Sequence, residues 1–576
     1  MADNGAKRRE LKCEAGEILY LKELRVFGFK RFRSANVAFS EGVNIVVGDN
    51  DSGKSTLLEA ITAVIDGQYR GVPLMRSLSE DLFNKEIVEE YLDSLNSHEP
   101  CNPPKIVIEA VFFGDRDAVA LYKGDFNSKG SGAESGIVLE ISLDMESFSE
   151  EYREFVASER HYGLPIEYYH CSWTTFARKN IRPAGIKFKS TLVGASSSLT
   201  WPGSKAMVTK IARDVLDGPD QIAVSQVHRR MRSGFSSDPI VKNINEKVSA
   251  STQSLTRKSV TFGFEAGTVN SWESGVITML EGIPFSNVGD GTKSIVSTEL
   301  ALSKNEKRGG NVVLLEEPEN HLSHTRLNMF LEGVKKRCSD VQLIVTTHSS
   351  FVANKMELRN LILLNGDKSA SMASLSEETS RFFMKAPGYK TLRVLLCRTA
   401  ILVEGDADEL VLQRAYMDSN GGRLPIQDGI DVISVGTSFL RFLEVAKTIG
   451  KRTIAVTDND GDIAALERKY RGYPHVSSAQ SNNLQVVSYA NRLLESGEAK
   501  GVNYNTLEAE VYESADRVTL SEIVGRSMHE RDAALKYMES NKTEVALRIF
   551  DAEQTLSFPD YIMDAIEWAK GGVDGI

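Results

Sequence analysis

Val43-Asn44-Ile45-Val46-Val47-Gly48-Asp49-Asn50-Asp51-Ser52-Gly53-Lys54-Ser55-Thr56-Leu57 is the stretch on which the fold turns. Val43–Val47 is mostly apolar and reads as a buried strand. Gly48 through Ser55 fits the pattern G-x4-G-K-[ST] at every fixed position. Its glycines, Gly48 and Gly53, let the backbone curl so that N–H groups point at phosphate oxygens. Lys54 would reach the outer phosphates, and the Ser55 hydroxyl would bind the Mg²⁺ that travels with ATP. Asn50 and Thr56 complete the expected nucleotide set. A helix from Ser55 to about Ile65 follows, so strand, phosphate loop and helix stand in the order an α/β nucleotide-binding fold requires.

On either side the rhythm is mixed. Residues from about Ile18 to Val47 alternate like a hairpin leading into a strand. Ile106–Phe113 and Gly136–Leu143 read as strands around a Gly- and Ser-rich loop, Asp125–Ser135. The stretch from about Glu150 to Gln253 lacks that rhythm and carries helical-looking segments such as Lys205–Leu216, so it reads as an insertion. Strand-like segments resume near Val260, and Asn311–Leu315 and Leu343–Thr347 are short apolar runs. Asn365–Ser376 is polar and reads as a linker region. A fresh α/β rhythm starts near Thr399. The expected organisation is a polar tail over 1–17, a nucleotide-binding head over 18–150 and 256–395, a helical insertion over 151–255 between its halves, and a separate α/β domain over 396–576.

Further motifs belong with the phosphate loop. Val312-Val313-Leu314-Leu315-Glu316-Glu317-Pro318-Glu319 is an apolar strand delivering two carboxylates at its end. One acid, Glu316, can hold the Mg²⁺ shell, and the other, Glu317, can orient attacking water. His348 lies just past the apolar run Leu343–Thr347, within reach of a γ-phosphate. Asn287-Val288-Gly289-Asp290-Gly291 precedes a helix-like stretch and can present N–H groups to phosphate. This set and order resemble the ABC-type ATPases of the SMC/RecF kind. The resemblance implies that Gly289 and Gly291 cap the ATP of a second copy, so the chain would be at least a dimer. It makes Glu316 the metal-holding acid, where most such ATPases carry Asp, Glu317 the catalytic base and His348 the switch histidine. No sustained heptads occur in 151–255, so a compact helical dimerisation element is expected there rather than a coiled-coil arm.

The C-terminal region carries acids. Glu404 ends the apolar run Ala400–Val403, and Asp408 falls four residues later, so the first turn of a helix would bring both together. Thr453–Thr457 ends in Asp458-Asn459-Asp460, and on extended chain Asp458 and Asp460 share a face. Ligands of open parallel sheets gather at the carboxyl ends of strands, and so many carboxylates in one place call for hard divalent cations. Glu-Gly followed by Asp-x-Asp resembles a Toprim domain. An ABC-type head followed by Toprim resembles the OLD (overcoming lysogenisation defect) nucleases, a family that includes the nuclease subunit of the Gabija anti-phage system. The resemblance runs from about Ile18 to Phe550 and is weakest over the insertion. It implies that Glu404 and Asp408 match the family's Glu-x-x-x-Glu pair, with Asp for the second Glu, and that Asp458 and Asp460 match its Asp-x-Asp. Ser434-Val435-Gly436-Thr437 resembles the turn after the second Toprim strand. Glu508 resembles the later acidic ligand, with Glu510 as alternative, and Asp462 or Glu409 as further neighbours. Lys542 resembles the catalytic lysine. Two Mg²⁺ or Mn²⁺ ions at this site, DNA as substrate, ATP as a gate, and a defence-system partner such as a helicase or a retron component are what the family implies.

The chain has 576 residues with 68 Lys+Arg against 79 Asp+Glu, a formal net charge of −11. At roughly 150 residues per domain that length suggests about three or four domains. Apolar residues make up 41% and charged residues 26%, which excludes global disorder. No apolar run reaches the ~20 residues of a membrane span. Met1–Glu17 has no apolar core, so no signal peptide is expected. Cys13, Cys101, Cys171, Cys338 and Cys397 are scattered, with neither zinc-ligand spacing nor a disulfide pattern, as expected of a bacterial cytoplasmic protein. The acidic balance argues against coating nucleic acid by bulk charge but leaves room for a nucleic-acid enzyme with local basic patches. Two such stretches are Arg178, Lys179, Arg182, Lys187 and Lys189, and His228, Arg229, Arg230 and Arg232. Competing readings are a DNA-sensing RecF-like ATPase whose Toprim domain only recruits partners, and a topoisomerase or primase. A topoisomerase would need a tyrosine on a separate DNA-binding domain, and a primase commonly brings a zinc module.

Overall fold

The computed structural model describes residues 19–97, 101–130, 132–158, 161, 163–194, 218–252, 279–306, 311–337, 341–385, 389–458, 462–476, 487–490 and 505–571. The chain forms two compact units, Met1–Asn44 with Gly53–Thr346, and Ile45–Ser52 with Thr347–Ile576. Strands β1 (Leu19–Phe29), β2 (Phe32–Ala38) and β3 (Val43–Val47) open the described chain, and α1 (Lys54–Asp66) follows the glycine-rich turn.

In the first unit β1 lies between β2 and β4 (Ile106–Gly114), β5 (Glu134–Leu143) pairs with β4, and β6 (Tyr169–Thr175) pairs with β5, all antiparallel. Alternation buries Leu24 and Val26 of β1 with Ile106, Ile108 and Ala110 of β4. The opposite face is also buried, but with charge. Arg25 stands opposite Glu109 in the register and bonds Glu23, Glu109 and Glu134 at 2.7–3.0 Å. The Gly- and Ser-rich loop closes over this network, with Lys129 on Glu23 and Ser128 on Glu109. Burial alone would raise the Glu23 carboxyl, but hydrogen bonds from Arg25, Lys129 and Asn36 hold it down at about 2.

A second sheet portion in this unit is parallel: β7 (Lys189–Gly194), β8 (Asn311–Glu316) and β9 (Gln342–Thr347). α1 packs on β7, and Asp66 at its end accepts from the Ser190 backbone and hydroxyl. β6 and β7 lie within the stretch expected as a mainly helical insertion over 151–255. β6 is polar and half-buried along most of its length, so its alternation is faint in sequence, and β7 has only Leu192 and Val193 as an apolar mark. Trp173 of β6 donates its indole N–H to the Val64 carbonyl at 3.1 Å, fastening the strand to the last turn of α1. The segment Lys205–Leu216 lies outside the described residues. A helical pair does follow, α2 (Gly218–Ser237) and α3 (Pro239–Thr252), which pack on each other. Val227, Met231 and Phe235 of α2 and Ile240 and Ile244 of α3 are exposed at helical spacing. α4 (Asp290–Glu306) begins at the predicted Gly-Asp-Gly turn.

In the second unit the end of β3 pairs in parallel with β10 (Leu361–Asn365), which turns back as β11 (Lys368–Ser371). The stretch expected as a linker is therefore part of a hairpin. Its two-residue turn, Gly366-Asp367, places Gly366 at φ 56°, and the short polar side chains of β11 conceal the strand. Helices α5 (Ser350–Lys355), α6 (Glu377–Lys385) and α7 (Tyr389–Leu396) lead to a five-stranded parallel sheet. Its strands are β12 (Thr399–Val403), β13 (Ile430–Ser434), β14 (Arg452–Val456), β15 (His475–Val476) and β16 (Val487–Ala490), in the order β13–β12–β14–β16–β15. β12 and β13 are buried at every residue, as strands covered on both faces must be. α8 (Asp406–Ser419), α9 (Phe439–Thr448) and α10 (Ile463–Lys469) connect them.

Among the described residues five further helices follow in this unit: α11 (Leu507–Ser514), α12 (Arg517–Val524), α13 (Arg531–Ser540), α14 (Lys542–Asp551) and α15 (Asp560–Lys570). α14 packs along α8, and α15 packs on β14. Buried Arg414 of α8 donates to the carbonyls of Phe550, Ala552 and Gln554 at and beyond the end of α14, where a cation meets the negative end of the helix dipole. α14 is thus fixed at its C-terminus, with Lys542 at the other end.

Candidate functional site

The phosphate loop is curled by two residues of positive φ, Asp51 at 62° and Gly53 at 101°. A Cβ on Gly53 would lie 2.7 Å from the Phe32 ring, so the position demands glycine for space as well as for conformation. Gly48 is buried at the end of β3, while Asn50 is exposed. The Asp49 carboxylate accepts the Asn50 N–H at 2.8 Å. Lys54 and Thr56 are buried on the first turn of α1, and Ser55 faces solvent. The Ser52 hydroxyl is buried without a hydrogen-bond partner. An orphaned donor inside a curled loop at a helix N-terminus is what a phosphate would satisfy, so these residues fit ATP.

Within the first unit, Glu316 ends β8 opposite Thr346 in the register. Glu317 follows at φ 45°, a conformation that strains a non-glycine residue. Its N–H donates to the Thr346 carbonyl at 2.9 Å, and its carboxylate accepts the Asn320 amide at 2.7 Å. Gly291 has no room for a Cβ because the His321 carbonyl lies against it, while Gly289 faces open space. Asp290 between them pairs with Lys293 at 2.9 Å. Arg70, absent from the sequence reading, hydrogen-bonds Glu59 of α1 at 2.9 Å and lies near enough to Glu316 to feel its charge. The Tyr69-Arg70-Gly71 turn was its only local signal. In the second unit His348 is half-buried between β9 and α5. Thr347 and Ser349 on either side of it tie down the turn, the latter by capping α5.

The acidic constellation lies wholly in the second unit. Glu404 follows β12 and is exposed. Asp408 sits on the first turn of α8 and accepts the Gly405 N–H at 3.0 Å, a carboxylate closing its own helix start. Burial pushes the Asp408 carboxyl up to about 6, with Glu508 and Glu404 adding to the rise. Lys542, the first residue of α14, bonds both oxygens of Glu508 at 3.1 and 3.2 Å. Burial would lower its ammonium, but Glu508, Asp458 and Asp408 outweigh that and hold it above the ordinary lysine value. Glu508 and Glu510 are both buried on α11. Beneath the cluster lies Tyr561 of α15, its phenol driven well above the usual range by burial and by Asp408, Asp458, Glu510 and Glu508.

The structure therefore brings Glu404, Asp408, Asp458, Glu508 and Lys542 to one end of the parallel sheet, with Glu510 adjoining. Asp460 lies outside the described residues. Two other acids are engaged elsewhere: Asp462 caps α10 through the Ala465 N–H, and Glu409 is held by Arg393. Among the described residues no three His, Cys, Asp or Glu side chains converge tightly enough to hold a metal ion as they stand. The donor set is nonetheless all oxygen and carries more negative charge than its one lysine neutralises, which fits hard divalent cations. Tyr561 has no motif around it and was missed.

Comparison with known proteins bears on both halves. Residues 395–460 match the family model "Overcoming lysogenization defect protein-like, TOPRIM domain". Residues 23–144 match an "AAA domain" model, and 243–354 match "AAA domain, putative AbiEii toxin, Type IV TA system". The chain joins an AAA-type ATPase head to an OLD-like Toprim domain. The "DNA replication and repair protein RecF" of Caldanaerobacter subterraneus subsp. tengcongensis is 44% identical over 54 residues, a match spanning 9% of this chain and 15% of the relative. Among solved structures, the ATP-bound recombination mediator RecF is 12% identical with a TM-score of 0.33, over 62% of this chain and 99% of that one. The Smc head of Pyrococcus furiosus bound to the C-terminal domain of ScpA is 14% identical with a TM-score of 0.32, over 62% and 97%. In the OLD-like Toprim domain the matched region ends at Asp460, so Glu508, Lys542 and Tyr561 lie beyond it. No helix of the described residues is long and apolar enough to cross a membrane.

Proposed function

We propose that this protein is an ATP-gated, divalent-metal-dependent DNA endonuclease acting in anti-phage defence. The observation that carries the reading is the meeting of Lys542 with Glu508, Asp408 and Asp458 at the carboxyl end of a parallel sheet. Glu404 and Asp408 would hold one ion and Asp458, Asp460 and Glu508 the other. When bound, two such ions supply water activation and stabilisation of the leaving 3′-oxygen. Lys542 then has a phosphate to neutralise, and its half-exposed chain lets it leave Glu508 for a phosphate oxygen. Tyr561 keeps the floor of the site dry and supplies a neutral hydroxyl beside the acids.

ATP would be held by Gly48, Asn50, Gly53, Lys54, Ser55 and Thr56. Glu316 with Ser55 would position its Mg²⁺, Glu317 would orient water, and His348 would sense the γ-phosphate. Gly289 and Gly291 would cap the nucleotide of a second copy. A homodimer through the heads and the α2–α3 pair is part of this reading, supported by the exposed apolar stripe on those helices. DNA would be held through its backbone, with exposed Arg178, Lys179, Arg182, Lys187, Arg229 and Arg230 as candidate contacts. Resemblance to the nuclease subunit of the Gabija system suggests a nucleotide that restrains cutting until it is depleted.

The test is cleavage of supercoiled plasmid by the full chain with Mg²⁺ or Mn²⁺ while ATP is titrated. Cutting that falls as ATP rises, and escapes that control in Lys54→Ala, supports the gate. Cutting indifferent to ATP in both proteins removes it. A recruitment role for the Toprim domain is the second reading, favoured by the absence of a closed three-ligand group among the described residues. It predicts no cutting of plasmid, linear or single-stranded DNA.

A further inference from the structure

Glu404 and Asp408 sit on consecutive pieces of chain, the end of β12 and the first turn of α8, and something must fix the turn between them. Three contacts do so from the end of β13 and the turn that follows it. Its last residue, Ser434, donates its N–H to Glu409 at 3.1 Å and its hydroxyl to Asp406 at 2.8 Å. Two residues on, Gly436 donates its N–H to the Glu404 carbonyl at 2.9 Å. Asp406 and Glu409 flank Asp408 on α8, so the Ser434 end of β13 grips the acidic turn from both sides.

That grip is itself held from α7. Lys390 donates to the Ser434 hydroxyl at 3.0 Å, which directs the hydroxyl's own proton toward Asp406. Arg393, one turn along, makes a fork on Asp431 at 2.7 and 2.9 Å and reaches Glu409 at 3.0 Å and the Val432 carbonyl at 2.7 Å. A guanidinium spanning two carboxylates and a carbonyl locks the angle between β13 and α8 in a way an ammonium cannot. Neither cation bonds Glu404 or Asp408 directly.

We infer that Lys390 and Arg393 are positioning residues for the metal-holding pair, acting through Ser434, Asp406 and Glu409 to set the separation of Glu404 and Asp408. The inference rests on the metal-nuclease reading. Loss of such outer partners typically lowers metal affinity about 10–100-fold, while groups touching the scissile phosphate are left in place. The signature is therefore a change in metal affinity rather than in the rate at saturating metal.

The experiment measures Mn²⁺ binding to the full chain by calorimetry, without DNA, together with the Mn²⁺ dependence of plasmid nicking. The proteins are wild type, Lys390→Met, Arg393→Lys, Ser434→Ala and Lys390→Met/Ser434→Ala, each checked for an unchanged thermal unfolding curve. The expected result is Mn²⁺ affinity about tenfold weaker in Lys390→Met, matched by Ser434→Ala, and no weaker in the double variant. Nicking at saturating Mn²⁺ should stay within about twofold of wild type. Arg393→Lys, which keeps charge but loses the fork, should also weaken binding. Wild-type Mn²⁺ affinity in folded Lys390→Met and Arg393→Lys overturns the inference alone. A wild type that neither binds Mn²⁺ nor nicks overturns the nuclease reading and this inference with it.

Discussion

Lys542 and Glu508 are 34 residues apart in sequence, yet the Lys542 ammonium bonds both oxygens of the Glu508 carboxylate. The pair joins the start of α14 to the first turn of α11, and Asp408 and Asp458 lie within its electrostatic reach. In the proposed reading, this lysine is the cation that turns toward the scissile phosphate.

Lys542→Met should cut plasmid about 10²–10³-fold more slowly than wild type, by analogy with removing one preorganised stabilising group. Its Mn²⁺ affinity should hold or rise, because Glu508 is freed. Calorimetry beside the nicking rate separates the two effects. Equal rates for variant and wild type would return Lys542 to the surface.

Asp408 sets a pH dependence. With its carboxyl raised to about 6, the proton that Mn²⁺ must displace is bound below that pH. Metal affinity should weaken as pH falls through about 6 and level off above 7. For the metal-free fold the sign is opposite. A carboxyl whose folded pKa is raised contributes stability below its unfolded value near 4, and that stability is lost as pH rises through about 6. Urea midpoints of the metal-free protein should therefore respond less to pH in Asp408→Asn across this window.

The acidic turn was open to sequence reading because Glu404 and Asp408 follow one apolar run and need only a local helix start. The phosphate loop was open for the same reason. Lys390 and Arg393 were not, since their partners Ser434 and Asp431 stand 44 and 38 residues away and carry no motif. Sequence could not separate Glu508 from Glu510, because α11 is buried all round and both acids point inward. β6 and β11 escaped because both are edge strands that bury little of their length and carry mostly polar or short side chains, which leaves no hydrophobic alternation to read. Tyr561 looked like ordinary core.

In the first unit, Arg25 is the neutralising centre of three carboxylates on the buried face of the antiparallel sheet. Arg25→Met should destabilise that unit by about 3–5 kcal/mol, because Glu109 would be left buried with only Ser128 on it and without a counter-charge, and Glu23 would keep the charge of Lys129 alone. Chemical denaturation followed through a probe in this unit reads the loss. Because Glu23 titrates at about 2, its contribution should persist down to pH 4.5 and disappear only as the pH falls toward 2.

At the nucleotide site, Lys54→Ala should abolish ATP binding. Glu317→Gln should bind ATP normally and hydrolyse it about 10²-fold or more slowly, as loss of a positioned base does. Fluorescent-nucleotide titration with phosphate release distinguishes them. Hydrolysis at the wild-type rate in Glu317→Gln would assign the base elsewhere.

The clustered acids of the OLD-like Toprim domain are proposed to cut DNA. The most direct test is nicking of supercoiled plasmid by wild type and by Glu404→Ala, side by side, with Mg²⁺ or Mn²⁺, with and without ATP. Nicked or linear product is expected from wild type in at least one metal and none from Glu404→Ala. Equal cutting by both proteins, or cutting by neither under any of these conditions, would contradict the proposal.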